Sequence, residues 1–300
     1  MKTAVSISLG SSQRDKEAEL TLWGEVVRLR REGIEGNMAR ARARFEELDG
    51  RVDALGVGGV DLWVGTDEIR YPLVAAHKLI QNVRHTPVVD GGGLKHTLEK
   101  GVVAALTAAL GEEYKTGKVL LTAALDRYGM AQSFFESGYE AICGDLGFGL
   151  GLPLPIRTLA GLKGMAKWLM PVVGRLPISV IYPTGAKQEQ IVPKFGAWYA
   201  WATVIAGDCL YIKRHMPPNL EGKVIVTNTT TAADRALFWE RGVKAIVTTT
   251  PVLEGRSFGT NMLEAALTAV AGLGRPLTHP ELRQMIAELD LRPTVDTHKN

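Results

Sequence analysis

Short apolar runs alternate with helical patterns along most of the chain. Apolar residues at every second position predict strands, and apolar residues three or four positions apart predict helices. These patterns predict strands over 4–9, 52–57, 86–89, 119–123, 139–143, 223–226 and 244–247, and helices over 37–48, 73–83, 98–110, 129–137, 158–170, 233–241 and 261–271. A hairpin is expected over 17–31, with its turn near Gly24. Strands that alternate with helices indicate an α/β protein with a parallel sheet.

The order of the predicted elements divides the chain into three parts. Residues 1–110 are expected to form an N-terminal α/β domain, and residues 111–258 a Rossmann-like domain with a parallel sheet. Residues 259–300 are expected to form C-terminal helices that pack back on the first domain. A chain of 300 residues is long enough for two domains.

The segment from Lys118 to Asp145 reads as strand, loop, helix, glycine turn and strand, followed by an acidic residue. This order is typical of one βαβ half of a dinucleotide-binding sheet. Asp145 stands about 20 residues beyond the first strand, where an acidic residue accepts hydrogen bonds from an adenosine ribose. A ribose contact of this kind favours NAD over NADP.

The loop after the first strand of this unit departs from the usual G-x-G-x-x-G pattern. If Gly129 takes the last glycine position, Ala124 and Asp126 take the first two. The Asp126 carboxylate would repel a pyrophosphate unless Arg127 or a cation lies between them. The alternative is a βαβ unit that binds another ligand or none.

Polar residues follow several predicted strands, and the carboxyl ends of parallel strands meet at one edge of a sheet. Threonine hydroxyls and backbone N–H groups at such ends suit phosphate, ribose or amide contacts. The predicted cofactor-binding residues are therefore Thr122, Ala124, Asp126, Arg127, Gly129, Asp145, Thr227, Asn228, Thr229 and Thr249.

Three motifs resemble the shikimate/quinate dehydrogenase family, including bacterial sequences labelled quinate 5-dehydrogenase. They are V-V-D-G-G-G-L at 88–94, V-T-N-T-T-T at 226–231 and G-T-N-M-L-E-A-A-L at 259–267. The resemblance implies that Asp90 belongs to a catalytic pair. The family's lysine segment has no clear match, so Lys95 or Lys78 would replace that lysine, and T-A-A-L-D-R-Y-G replaces the glycine-rich phosphate loop.

Together, the βαβ unit and the resemblance predict an NAD-dependent oxidoreductase. It would act on a hydroxyl or ketone of a small substrate such as a cyclic polyol, with Asp90 and Lys95 as catalytic residues. One alternative is an acyl-thioester reductase that uses Cys209 as its nucleophile. Another is a non-catalytic Rossmann-like protein that binds a ligand or a membrane surface.

Composition narrows the class of protein. With 46% hydrophobic residues, 22% charged residues and a net charge of +3, the chain is an ordinary globular protein. Nucleic-acid binding is not expected, because no dense cluster of Lys and Arg is interleaved with aromatic residues. Two cysteines make no disulfide framework, which favours the cytoplasm. No grouping of His, Cys, Asp and Glu has the spacing of metal ligands.

The segment 158–170 predicts a short basic amphipathic helix. Leu159, Leu162, Ala166 and Leu169 share one face, and Trp168 lies near the boundary. The helix could pack on the sheet or form a homodimer interface. It could also contact a membrane surface or a lipid.

Overall fold

The computed structural model describes residues 1–181, 190–253 and 256–297. The first half of the chain contains seven strands and four helices. They are β1 (Lys2–Ser8), β2 (Lys16–Leu22), β3 (Glu25–Gly33), α1 (Met38–Leu48), β4 (Ala54–Gly58), β5 (Trp63–Gly65), β6 (Arg70–Pro72), α2 (Val74–Ile80), β7 (Val88–Val89), α3 (Gly92–His96) and α4 (Val102–Leu110). Short 3-10 helices lie at Ser12–Arg14, Leu98–Gly101 and Glu112–Tyr114.

The second half contains the remaining strands and helices of the described ranges. They are β8 (Lys118–Leu121), α5 (Tyr128–Glu136), β9 (Glu140–Cys143), α6 (Leu159–Val173), α7 (Ile178–Ile181), α8 (Gly196–Trp201), β10 (Val204–Gly207), α9 (Cys209–His215), β11 (Val224–Thr227), α10 (Ala232–Glu240), β12 (Ala245–Thr248), β13 (Val252–Leu253), β14 (Arg256–Ser257), α11 (Thr260–Ala271), α12 (His279–Glu288) and β15 (Thr294–Thr297).

The first sheet has the strand order β2-β3-β1-β4-β7. Strand β1 runs parallel to β3 and β4, and β2 forms an antiparallel hairpin with β3. The hairpin turns at Trp23 and Gly24, whose φ angles are 52° and 76°. Positive φ at both turn positions matches the right-handed twist of the paired strands. The predicted hairpin is therefore present, and its turn lies at Gly24.

The second sheet has the order β15-β12-β11-β10-β8-β9, and only β15 is antiparallel to its neighbour. The predicted α/β fold with a Rossmann-like parallel-sheet domain is confirmed. Because β9 and β10 lie on opposite sides of β8, the chain reverses its direction of winding there. This is the 2-1-3-4-5 order of flavodoxin-like sheets, and a ligand crevice is expected beside the carboxyl end of the first strand.

Helix α11 returns from the second sheet to the first. It packs on β1 and β4, where the Asn261 amide donates to Ser6 Oγ at 2.5 Å. Leu263, Leu267 and Leu282 of α11 and α12 are buried in one cluster with Leu29 of β3. The following strand β15 then pairs with β12 of the second sheet, so residues 259–297 contact both domains.

One hydrophobic core runs through both domains. Val5 and Leu55 of the first sheet belong to the same buried cluster as Val119 and Val204 of the second, with Phe134 of α5 also in it. Domains joined by a large apolar interface do not move freely relative to one another. The relative position of the two sheets is therefore fixed largely by packing.

Replacing Gly129 by alanine should destabilise the protein. A Cβ at this position in α5 would overlap the carbonyl oxygen of Lys95 in α3, so the two helices would have to separate. Overpacking of this kind costs about 1–3 kcal/mol in the free energy of unfolding, measured by chemical denaturation.

Gly164→Ala is the matched control, because a Cβ there would meet no atom within 4 Å. It lies inside α6, where alanine should stabilise the helix by about 0.5–1 kcal/mol. A Gly129→Ala protein as stable as the wild type would contradict the close packing of α3 on α5.

Candidate functional site

Lys95 lies in a buried triad with two carboxyl groups, between the two domains. It is only 7% exposed, and its Nζ donates to Asp61 Oδ1 at 2.6 Å and to Asp126 Oδ1 at 2.8 Å. Asp61 follows β4 of the first sheet and Asp126 follows β8 of the second. The predicted catalytic lysine thus joins the carboxyl ends of both sheets.

Arg127 extends this triad along the edge of the second sheet. Its Nη1 donates to Glu99 Oε1 at 2.5 Å and its Nη2 to Asp208 Oδ2 at 3.1 Å. Its Nε faces Asp126 Oδ2 at 3.4 Å without forming a hydrogen bond. We call these six residues the interdomain network: Asp61, Lys95, Glu99, Asp126, Arg127 and Asp208.

The charges of the network depend on burial and on each other. Burial raises the pKa of Asp61 well above its ordinary value. Burial acts in the same direction on Asp126, but Lys95, the hydrogen bond with Asp61 and Arg127 hold the pKa of Asp126 well below its ordinary value. Asp61 is therefore the protonated member of the pair, and its O–H donates a hydrogen bond to the Asp126 carboxylate. Burial disfavours the charged form of Lys95, yet Asp126 and Asp61 raise its pKa, so Lys95 stays cationic.

Asp90, the other predicted catalytic residue, holds a loop of the first domain. Its Oδ2 accepts from Leu62 N at 2.7 Å and Trp63 N at 3.2 Å, and its Oδ1 accepts from Gly92 N at 2.8 Å. These bonds fix the backbone next to Asp61. Asp90 thus orients the loop from which Asp61 reaches Lys95.

Glu264 of α11 is a buried carboxyl beneath α3. Its Oε2 accepts from Leu94 N at 3.2 Å. Burial, together with the nearby Asp90 carboxylate, raises the pKa of Glu264 to about 8. The side chain is therefore mostly protonated at neutral pH.

The predicted phosphate loop is closed by the protein itself. Asp145 accepts from Ala124 N at 3.1 Å and from Leu125 N at 2.9 Å, so its carboxylate uses backbone donors that a pyrophosphate would need. Burial raises the pKa of Asp145 to about 6. Gly129 packs against the Lys95 carbonyl. Asp145 and Gly129 therefore serve loop closure and packing in this structure, and the ribose and pyrophosphate contacts expected of them stay predictions.

Asn228 ties together the ends of three neighbouring strands. Its Nδ2 donates to Asp208 Oδ2 at 2.9 Å, and its Oδ1 accepts from Thr227 Oγ1 at 3.0 Å. Its carbonyl oxygen accepts from Thr250 Oγ1 at 2.7 Å. The threonine-rich ends of β11 and β12 and the end of β10 therefore meet, as the positions of these residues after strands predicted.

The other predicted cofactor residues at this edge divide into buried and accessible positions. Thr122, Ala124 and Thr249 are fully buried, and Thr249 Oγ1 donates to Glu99 Oε1 at 3.3 Å. Thr229 is partly exposed, and its hydroxyl lies 2.5 Å from Ser257 Oγ. Of this group, Thr229 is the residue that can contact a molecule arriving from solvent.

The first domain contributes a guanidinium to the same edge. Arg14, in the 3-10 helix Ser12–Arg14, is partly buried and lies within electrostatic range of Cys209 at the start of α9. It forms no ion pair with any residue of the described ranges. Asp126 and Asp208 are the more exposed carboxylates nearby, with side chains 21% and 30% exposed. We call the accessible positions the interdomain edge: Arg14, Asp126, Asp208, Asn228, Thr229 and Ser257.

Cys209 does not have the surroundings of a nucleophile. It is 5% exposed, and burial and the nearby Asp234 raise the pKa of its thiol well above the ordinary value. A reactive cysteine needs a lowered pKa and access to its substrate. The predicted thioester chemistry at Cys209 is therefore wrong.

Sequence reasoning missed Asp61 and Glu99. Asp61 follows β4 and a Gly-Gly turn, the same position after a strand that singled out other residues of the edge. Glu99 lies beside Lys100 at the start of the predicted helix 98–110, where charged residues are common, so the sequence carries no signal for its role. Its Oε2 has no hydrogen-bond partner among the described residues.

Helix α6 has one buried face and one open face. Leu162, Ala166 and Met170 are buried, whereas Trp168 is 82% exposed and Val172 is 64% exposed. In the part of the chain that the structure describes, no helix is long and apolar enough to cross a membrane. Contact of this face with a membrane surface, a lipid or a second copy of the chain stays a prediction.

A family model now identifies the chain. The model called domain of unknown function DUF8754 matches residues 93–298, more than half of the chain. The chain belongs to the DUF8754 family. A second model, domain of unknown function DUF8753, matches residues 3–90. No curated protein matches the chain.

Similar solved structures include bacterial solute-binding proteins of ABC transporters. One from Burkholderia multivorans, with an unknown ligand, is 13% identical, covers 99% of each chain and has a TM-score of 0.38. One from Agrobacterium vitis with bound D-fucose is 14% identical, covers 99% of this chain and 96% of that one, and also scores 0.38. One from Bacillus halodurans with bound myo-inositol is 12% identical, covers 94% and 97%, and scores 0.33. Likeness at this level assigns no ligand to this chain.

These findings correct the interpretation of the sequence. The family whose model matches more than half of the chain is DUF8754, so the predicted membership of the shikimate/quinate dehydrogenase family is wrong. The predicted function as an NAD-dependent oxidoreductase depended on that resemblance and is wrong with it. NAD binding as such is a prediction from the sequence alone, and the closed loop at Asp145 argues against it.

Glu264 should make the protein less stable as the pH rises. Its pKa is about 8 in the folded state and near the ordinary value when unfolded, so the folded state holds more protons between these values. The stabilisation is complete below the unfolded pKa and disappears as the pH rises through the folded one. In the wild type, Glu264 should lower the free energy of unfolding by up to about 1.4 kcal/mol per pH unit in this window. Glu264→Gln should abolish this contribution.

The free energy of unfolding, measured by urea denaturation between about pH 5 and pH 8, tests this. Burial also raises the pKa of Asp145, to about 6, and the pKa values of Asp61 and Glu99. These groups are present in both proteins, so the difference between the wild-type and Glu264→Gln profiles isolates Glu264. Glu288→Gln, at an exposed position of α12, is the control and should follow the wild type. Parallel wild-type and Glu264→Gln profiles would contradict a protonated Glu264.

Proposed function

We propose that the protein binds a small polyhydroxylated molecule at the interdomain edge. One observation carries the proposal: accessible polar side chains from both domains converge beside the point where the second sheet reverses its winding. Arg14 comes from the first domain, and Asp126, Asp208 and Asn228 follow strands of the second. Open α/β sheets bind their ligands at this position.

The chemistry of the edge supports a ligand rich in hydroxyl groups. A hydroxyl both donates and accepts, and so it pairs with a mixture of carboxylates, amides and donors. Asp126 and Asp208 are acceptors, Arg14 is a donor, and Thr229 and Ser257 can serve in either role. An excess of one charge sign would favour an ion instead, but Lys95 and Arg127 offset most of the carboxylates of the network, and Asp61 is protonated.

The interdomain network holds polar groups of the site in place before a ligand arrives. Arg127 is held by Glu99 and Asp208, and Asp208 also accepts from Leu210 N at 3.0 Å as the N-cap of α9. Groups fixed in this way lose little conformational freedom on binding. The continuous core between the domains also supports a preformed site, because binding would not require the two sheets to close on the ligand.

Isothermal titration calorimetry with single polyols and sugars tests the proposal. The panel includes D-fucose and myo-inositol, which are bound in two of the similar structures, and also quinate and NAD. At least one hydroxyl-rich compound should bind with a Kd below about 1 mM. NAD should not bind, because Asp145 occupies the loop donors.

Arg14→Gln should weaken that binding by about tenfold or more, without changing the melting temperature, because Arg14 forms no ion pair in the described ranges. Arg51→Gln, at an exposed position away from the edge, should leave binding unchanged. Absence of binding by every polyol and sugar at about 10 mM, or equal binding by the Arg14→Gln protein, would refute the proposal.

A further inference from the structure

Two histidines stack on the side of α3 that faces α12. The rings of His96 and His279 lie 5.3 Å apart between centroids and are inclined by 22°. His96 also lies 6.0 Å from the Tyr128 ring of α5. His96 ends α3 and His279 begins α12, so the packing of these helices fixes the pair.

Three exposed cations surround the histidine pair. Arg70, Lys100 and Arg283 come from β6, the 3-10 helix Leu98–Gly101 and α12, and each lies within electrostatic range of His279. None of the three forms an ion pair with a residue that the structure describes. The Arg70 guanidinium lies over the Trp63 ring, 5.3 Å from its centroid. We call these five residues the cationic patch: Arg70, His96, Lys100, His279 and Arg283.

The surroundings of the patch leave its positive charge without compensation. Burial, followed by His279, Arg70, Lys95 and Lys100, lowers the pKa of His96 to about 4. Burial, Arg70, Arg283 and Lys100 lower the pKa of His279 as well. Both imidazoles are therefore neutral at pH 7, and each carries one N–H donor.

The nearby acids do not neutralise these cations. Glu264 interacts with Arg70 but is mostly protonated at neutral pH, because its pKa is about 8. Glu281, in the first turn of α12, is held by both Nη atoms of Arg275 at 2.6 and 2.9 Å and by Thr278. An anion from solvent would relieve the repulsion among Arg70, Lys100 and Arg283, and the two neutral imidazoles could donate hydrogen bonds to it.

We propose that the cationic patch is a binding site for a phosphate group. Two guanidinium groups, one ammonium and two imidazoles approach from four segments of the chain, which suits a tetrahedral dianion with several acceptor oxygens. A planar carboxylate offers fewer acceptors and half the charge. The site is separate from the interdomain edge, and neither proposal depends on the other.

Histidine NMR of the full chain, titrated with inorganic phosphate, tests the site directly. His96 and His279 should show saturable shifts at about 1–10 mM phosphate. The pKa of His96 should rise from about 4, because a bound dianion favours the imidazolium over repulsion by Arg70, Lys95, Lys100 and His279. Acetate at the same ionic strength should have little effect.

Arg283→Gln should raise the Kd for phosphate by about tenfold or more, since it removes one cation without removing an ion pair found in the described ranges. Arg51→Gln is the control for a general loss of positive charge and should bind like the wild type. No saturable shift, or an equal loss in both variants, would overturn the proposal.

Vesicles distinguish the two sources of a phosphate group. Phosphatidylcholine vesicles with and without phosphatidic acid are compared in flotation with the wild type and with Arg283→Gln. Flotation that needs phosphatidic acid and is lost in the variant would support a lipid headgroup. Binding of free phosphate without flotation would support a soluble phosphorylated molecule. Absence of both phosphate binding and flotation would refute the site.

Discussion

The pairing of Lys95 with Asp126 and of Arg127 with Glu99 is the constraint on which the middle of the molecule depends. Each pair joins one domain to the other, and all four side chains are largely buried. A buried charge that loses its partner costs about 3–5 kcal/mol, so each domain needs the other to keep its charges paired. The two domains are therefore one electrostatic unit as well as one packed core.

This constraint explains why the segment 118–145 has the layout of a dinucleotide-binding unit without its glycine-rich loop. In this chain the loop supplies Asp126 and Arg127 to the first domain, and Asp145 uses the backbone donors at Ala124 and Leu125. Gly129 permits close packing of α5 on α3. The same backbone arrangement thus serves domain docking, and the sequence pattern alone does not separate that role from nucleotide binding.

Periodicity predicted most of the fold because buried strands and amphipathic helices leave local signals. The hairpin at 17–31, the helix after Asn37 and the strand after Lys223 were all visible in this way. The segment 98–110 was predicted as one helix, but it forms a 3-10 turn and then α4. At the site, positions after strands pointed to Asp126 and Asn228. The partners Asp61 and Glu99 are set by the approach of two domains, which local patterns do not encode.

The mild net charge of +3 conceals two regions of opposite character. At the interdomain network, carboxylates outnumber cations, and Asp61 is protonated because burial disfavours a further negative charge. At the cationic patch, no acid balances Arg70, Lys100 and Arg283. The histidines there stay neutral because burial and the neighbouring cations disfavour a further positive charge. Lys95 belongs to the first region and also lies within electrostatic range of His96 in the second. A change of charge at Lys95 would therefore alter both regions, whereas Arg14 and Arg283 each affect one.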